Sequence, residues 1–545
     1  MTPAEVSTLA SVLASGAEIE CLNLWKDLPE GAGVELGKAI TCHNRISALS
    51  LGYESEWEER APGLIQLVAV SASAALQQLC IKGLYLDDNC MQRLCDSFKG
   101  FTTLLRLSIV YCHFDTPSLV KRVGELQALK SVNISKVSLF DSDADTLVES
   151  LLKLPMMTDL EVCDININTE NYRKIGGLIA ARRIRKLVLR GNELANDGVS
   201  VMVDAVRYSK QKMCKLEELC LSGNEIGPEG AQKIAELVAR SPYLRHLNLS
   251  SNPIGETAVG SLVECASSMQ ELDISNCELC ERGGVLLITS PAYPALTALK
   301  MSNNRMDNLS AGAIVQSLLL PGGRTLKELD MSKNYIKETG ALELAKGLAN
   351  AYALQSINMT GNQLGIFGSA KVLDALATAS TAPMHIIDFR RCYVGDDGGE
   401  AVGKLIRNRG CICIRLDHNQ LNYRGVRAIA DSINDSPCVI ELLGLDMNPL
   451  CDAIVEYLLN KILQQNKFVC ELSIDLLRVR RKEAMVIKRA TEVLGSLKVL
   501  SYIGNIRNKE AKSILKEVRS AEHVLKYKGA AILVHKDTPA DKNDA

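Results

Sequence analysis

Between Leu216 and Val238 the chain reads LEELCLSGNEIGPEGAQKIAELV, and its apolar positions change period part-way along. Leu219 and Leu221 alternate with Glu218, Cys220 and Ser222, the period of two expected of a short strand with one buried face. Ala231, Ile234, Ala235 and Val238 then fall at i, i+3, i+4 and i+7, the stripe of an amphipathic helix. Asn224 stands where the chain leaves the strand, and its amide can donate to and accept from turn backbone that would otherwise be buried unpaired. Gly230 follows six residues later, where a close turn or close helix packing leaves no room for a side chain.

Nearly the same pattern returns at Leu244 as LRHLNLSSNPIGETAVGSL. Aligned on the last position of L-x-x-L-x-L-x-x-N, the chain gives Asn192, Asn224, Asn252, Cys277, Asn304, Asn334, Asn362, Cys392, Asn419 and Asn448 as one column. Cys fits that column as a small, weakly donating substitute. Weaker copies lie upstream at Asp27, Glu54, Leu84, Cys112, Val137 and Ile165, and downstream at Leu477 and Asn505. Eighteen registers from 27 to 505 make 17 intervals over 478 residues, about 28 residues each. The glycine six past the ladder residue recurs as Gly198, Gly283, Gly340, Gly368, Gly398 and Gly425.

Strand and helix alternate throughout, so the expected fold is α/β: a curved solenoid of about 18 strand-helix repeats, with a parallel sheet on the concave face and helices on the convex face. The repeat resembles the leucine-rich repeat of the ribonuclease-inhibitor type, shared with Ran GTPase-activating proteins and the arrays of NOD-like receptors. The resemblance covers roughly residues 15 to 510. The chain divides into an N-terminal cap over 1–18, the array over 19–506, a capping helix over 507–527 and a polar tail over 528–545.

Composition agrees with a lattice core: hydrophobic residues make up 47% and aromatics only 4% of 545 residues. The 18 cysteines lack the framework of a small secreted protein and read as reduced thiols. No basic n-region opens the chain and no run of about 18 apolar residues occurs, so a cytoplasmic protein is expected.

Motifs for chemistry fall apart on inspection, and no catalytic, cofactor-binding or metal-ligating residue is assigned. Gly398 to Lys404 spells GxxxxGK, but Leu405 replaces the Ser or Thr that holds magnesium, and Gly398 is the repeat's own glycine. Asp141, Asp143 and Asp145 mimic a calcium loop, yet Thr146 stands where that loop needs Gly and Leu152 where it needs Glu. Cys277 and Cys280 form a CxxC without a second pair at zinc spacing.

What remains is surface. Strand residues two, four and six positions before the ladder residue point away from the core. Over the ten repeats from Asn224 to Leu477 these positions carry ten acids, among them Glu218, Glu271, Asp273, Glu328, Asp330, Asp388, Asp417 and Asp446. Only Lys300, Arg390 and Arg415 oppose them, and Trp25 is the one aromatic anchor near the start of the array's face. Such a trough suits one or more protein partners with a basic surface. No small-molecule substrate, cofactor, nucleic acid or membrane is implied. From residue 467 onward, 17 Lys and Arg against 10 Asp and Glu give a net +7, which leaves −9 for the remainder of a chain of net −2. Arg478, Arg480, Arg481, Lys482, Lys488 and Arg489 form a candidate basic docking patch there.

The expected function is a non-catalytic protein-binding scaffold, a subunit of a larger cytoskeletal, flagellar or signalling assembly. The resemblance also implies an alternative, activation or regulation of a small Ran-type GTPase; that family's acidic tail is replaced here by a basic chain end.

Overall fold

The computed structural model describes residues 1–29, 31–43, 45–53, 59–72, 74–114, 118–137, 141–181, 183–210, 213–264, 268–289, 295–319, 325–465, 469–475, 481, 484–485, 488, 499–503, 509–510 and 513–514. The chain forms two compact units, Met1–Ile254 and Gly255–Ala545.

In the first unit a helix at Pro3–Ala14 begins with a capping box, in which Thr2 and Glu5 satisfy each other's backbone N–H. Among the described residues nine parallel strands follow, from Cys21–Leu24 to His246–Asn248. Their register lines up Leu22, Leu49, Leu79, Leu107, Val132, Leu160, Leu187, Leu219 and Leu247 as a single buried row. A one-residue slip in any strand would turn its leucines to solvent, so the alternation in sequence fixes the register. The early repeats add an element that periodicity does not announce: Glu59–Arg60, Leu84–Leu86 and His113–Phe114 form a three-stranded parallel sheet beyond the turns. There the Tyr85 and His113 rings stack at 5.4 Å and the Arg60 guanidinium lies over Tyr85.

The second unit repeats the scheme with nine parallel strands among its described residues, from Glu271–Asp273 to Val499–Ile503. Leu272, Leu299, Leu329, Ile357, Ile387, Ile414, Leu443, Leu472 and Leu500 share its register row. Helices separate the strands and pack in sequence on one another, closely enough that a Cβ at Gly399 would lie 2.6 Å from the Gly425 Cα. The architecture is that of a leucine-rich solenoid, one strand and one helix per repeat. Of the expected C-terminal capping helix and polar tail, only residues 509–510 and 513–514 are described; the rest of 507–527 and all of 528–545 lie outside the described residues.

The ladder column does what its chemistry demands. Asn224 is fully buried; its Oδ1 accepts from the backbone N–H of Asn192 (2.9 Å) and Leu194 (3.3 Å), and its Nδ2 donates to the carbonyls of Leu189 (2.6 Å) and Leu221 (3.0 Å). Each asparagine thus ties its turn to the preceding one, and Asn252 does the same for Asn224 and Ile226. Cys392 keeps part of this, with its thiol donating to the Met359 carbonyl at 3.0 Å. Asn224→Ala strands two donors and two acceptors in a dry turn and is expected to destabilise the first unit by roughly 1–3 kcal/mol, read by chemical denaturation. Asn224→Cys is expected to lose less, and equal losses would speak against the donor role.

Repeats are also stitched at their helix starts. The Asn196 Oδ1 accepts from the backbone N–H of Gly227 and Gly230, capping the helix Pro228–Ala239 of the next repeat. Asn308 caps Glu338–Leu348 in the same way, and Asp396 caps Tyr423–Ser432. These helices have no side-chain cap of their own. At three positions the ladder-plus-six glycine is required because the cap arrives there: a Cβ at Gly230 would lie 2.6 Å from the Asn196 Oδ1, one at Gly340 the same distance from the Asn308 Oδ1, and one at Gly425 2.8 Å from the Asp396 Oδ1.

Candidate solvent face of the sheet

Strand residues opposite the leucine rows face solvent, and the register brings them into lateral rows about 4.8 Å apart. In the first unit Ser50, Cys80, Ser108 and Asn133 make one small polar row. Farther along, Lys186 bridges Glu161 (2.8 Å) and Glu218 (3.1 Å) on the two flanking strands. Burial opposes the charge on Lys186, but its hydrogen bonds to the two carboxylates outweigh that and hold its pKa above the ordinary lysine value. Glu218, one of the acids expected to face a partner, is therefore partnered within the sheet.

In the second unit one row runs Asp273, Lys300, Asp330, Asn358, Asp388, Arg415, Gly444 and Ser473. The acids fall into two groups. Glu271, Asp273, Glu328 and Asp330 flank Lys300 on three neighbouring strands, and Lys300 pairs with Glu328 at 3.3 Å. Glu271 is exposed and the other three are half-buried. The Asp330 Oδ2 accepts from the Asn358 Nδ2 at 2.9 Å.

The second group is bound inward. Asp388 is only 3% exposed; it accepts from the Arg390 Nη2 (2.7 Å) and the Thr360 hydroxyl (2.6 Å), with the Arg415 Nη1 at 3.8 Å. The Asp417 Oδ1 accepts from the backbone N–H of Asp446 at 2.8 Å, and Gly444 leaves it room, since a Cβ there would lie 3.1 Å from either carboxylate oxygen. Asp446 is itself buried and accepts from the Ser473 hydroxyl.

Burial pushes the Asp417 carboxyl above the usual aspartate range, against the Asp446 N–H, which pulls it down. A raised folded-state pKa supports folding below the unfolded value, and that support is lost as pH rises through the folded one. Asp417→Asn keeps the acceptor for the Asp446 N–H and removes the charge. Its melting temperature is expected to exceed that of the wild type at neutral pH, with the gap closing as pH falls toward about 4. A lower melting temperature at neutral pH would contradict this.

The segments that mimic catalytic motifs carry contacts of the repeat. Gly395–Asn408 is one continuous helix in which Gly403 faces the Ala428 carbonyl and Lys404 pairs with Asp374 at 3.0 Å. Asp145 accepts from the Asn171 Nδ2 at 2.6 Å, within the repeat-to-repeat contact at the start of Thr169–Ala180. Every described cysteine is a free thiol, and burial pushes Cys112 and Cys392 up to about 12, away from thiolate chemistry at neutral pH. Of the basic patch, Arg481 is described, with its Nε 3.9 Å from Glu510, as is half-buried Lys488; Arg478, Arg480, Lys482 and Arg489 lie outside the described residues.

A family model described as "Leucine Rich repeat" matches residues 212–235, 240–263 and 324–345. Pig ribonuclease inhibitor is 23% identical over 391 residues, covering 69% of this chain and 84% of that one. The chain carries leucine-rich repeats similar to those of ribonuclease inhibitors. It is also similar to human NACHT, LRR and PYD domains-containing protein 5, 24% identical over 406 residues that make up 72% of this chain and 33% of the relative, so the match spans only a third of that longer protein. Among solved structures, a TLR13–ssRNA13 complex covers 89% of this chain and 65% of its own, with a TM-score of 0.44 and 14% identity. No described helix of this leucine-rich repeat protein is long and apolar enough to cross a membrane.

Proposed function

We propose that the protein is a non-catalytic binding scaffold whose sheet face in the Gly255–Ala545 unit holds a basic surface of another protein. One observation carries the reading: Glu271, Asp273, Glu328 and Asp330 are gathered by strand register around Lys300. The relative named ribonuclease inhibitor is, by its name, a protein that acts on another protein. Asp388, Asp417 and Asp446 serve this face indirectly, by holding the strand backbone and Arg390 in place. Glu218 is engaged by Lys186 and contributes little net charge. A cluster of this kind, partly shielded from water, raises the encounter rate with a cationic surface more than it raises affinity. A cytoplasmic setting, and membership of a larger cytoskeletal, flagellar or signalling assembly, belong to the same proposal.

The test uses a partner recovered by proximity labelling, with association and dissociation rates measured at low and high salt. Asp273→Lys combined with Asp330→Lys is expected to slow association at low salt by about tenfold, an effect that shrinks as salt screens the charges. An unchanged association rate at low salt would overturn the proposal.

A further inference from the structure

The turns of the second unit carry a surface of the opposite sign. The residue just before the ladder position is held at positive φ, and three consecutive turns place Lys333 (φ 54), Gly361 (φ 73) and Arg391 (φ 56) side by side. Their order is fixed by backbone bonds: the Lys333 N–H donates to the Thr360 carbonyl, the Gly361 N–H to the Arg390 carbonyl, and the Arg391 N–H to the Asp417 carbonyl. One residue past the ladder position, the same turns carry Tyr335, Gln363 and Tyr393. Tyr335 is 58% and Tyr393 48% exposed. Lys333 and Arg391 are exposed as well, and no ion pair among the described residues engages either, whereas Lys300, Arg390 and Arg415 on the adjoining strands are all paired.

Two Lys/Arg-x-Tyr turns thus flank a Gly-x-Gln turn. With two strand spacings of about 4.8 Å between them, the cations stand about 10 Å apart across a floor that has no side chain at Gly361. A Cβ there would lie 3.6 Å from the Lys333 Cγ, so the lysine stem already borders the notch. We propose that this notch, at the edge of the sheet in the second unit, receives an extended acidic segment of a protein partner. Carboxylates three residues apart on a segment in the polyproline II form, three residues per turn, lie on one face about 9 Å apart, which lets one meet Lys333 and the other Arg391 while the two tyrosines pack on the backbone between them. Two cations do not make a track for a polynucleotide, which needs a continuous basic groove and closely spaced stacking platforms.

The probe is a fluorescein-labelled peptide, Glu-Gly-Ser repeated four times, titrated with the full chain at low salt and read by fluorescence anisotropy. The wild type is expected to bind it, and Lys333→Glu with Arg391→Glu to weaken binding at least tenfold with an unchanged melting temperature. Tyr335→Ser with Tyr393→Ser should also weaken it, while Asp273→Lys with Asp330→Lys, on the sheet face, should not. Absence of binding by the wild type, or equal binding by the charge-reversed variant, overturns the proposal. So does tighter binding to an oligothymidine of the same charge. Salt-sensitive dimerisation of the wild type that is lost in the charge-reversed variant would assign the notch to a second copy of this chain and overturn it too.

Discussion

Arg409→Ala is expected to destabilise the Gly255–Ala545 unit by about 4 kcal/mol, measured by denaturation followed by far-UV circular dichroism. Arg409 has no exposed surface, and its guanidinium meets no carboxylate among the described residues. It donates instead to three carbonyls: Ala382 (2.8 Å), Leu376 (2.9 Å) and Leu354 (3.0 Å). Leu376 lies in the last turn of Gly365–Ala379, where helix carbonyls lack intrahelical partners and the helix dipole favours a cation. Leu354 and Ala382 precede the strands Ser356–Asn358 and Met384–Asp388, so one side chain pins the returns of two earlier repeats. Burial pulls the Arg409 pKa below the usual arginine value without discharging it. Removing the side chain leaves three carbonyls and a cavity; Arg409→Met fills the cavity but not the bonds and should fall between. A loss below about 1 kcal/mol for Arg409→Ala would show that water replaces the guanidinium at little cost.

Gly399→Val is expected to cost about 3 kcal/mol or more in the same unit. Gly399 lies in Gly395–Asn408, and a Cβ there would meet backbone rather than a side chain: the Gly425 Cα at 2.6 Å, and its C and O at 2.9 Å. Backbone cannot swing aside as a flexible side chain can, so the helices Gly395–Asn408 and Tyr423–Ser432 must separate and the Asp396 cap on the second must loosen. Gly312 is the internal control. It also lies in a helix, Asn308–Leu319, with nothing within 4 Å of its added Cβ, so Gly312→Ala should stabilise by about 1 kcal/mol through helix propensity alone. Equal effects at the two glycines would mean that helix packing between repeats is looser than the geometry shows.

The repeat was legible because each column has one physical job repeated many times. The ladder asparagines and the ladder-plus-six glycines announce a buried turn and a close approach in any single copy, and eighteen copies fix the strand register. Arg409 was not legible, because it belongs to no column and reads as an ordinary basic residue after a helix; only Gly410, at φ 72, hints that the helix stops there. The caps at Asn196, Asn308 and Asp396 were hidden for another reason. Each looks like a start signal for its own helix, while the N–H groups it serves belong to the next. On the solvent face, sequence located the acids but not their state. The Lys186 bridge follows from reading across columns rather than along the chain, whereas the burial of Asp388 under Arg390 and Thr360 depends on side-chain geometry that no column records.

The proposed partner site is the sheet face of the second unit, over Glu271, Asp273, Glu328 and Asp330. Carboxyl footprinting of the partner-bound complex with a carbodiimide and glycine ethyl ester reads those side chains directly. The expected result is protection of Glu271, Asp273, Glu328 and Asp330 on complex formation, with Glu343 and Asp374 on the helices labelled as in the free protein. Protection confined to the helix carboxylates, with the four sheet acids labelled as before, would contradict the claim.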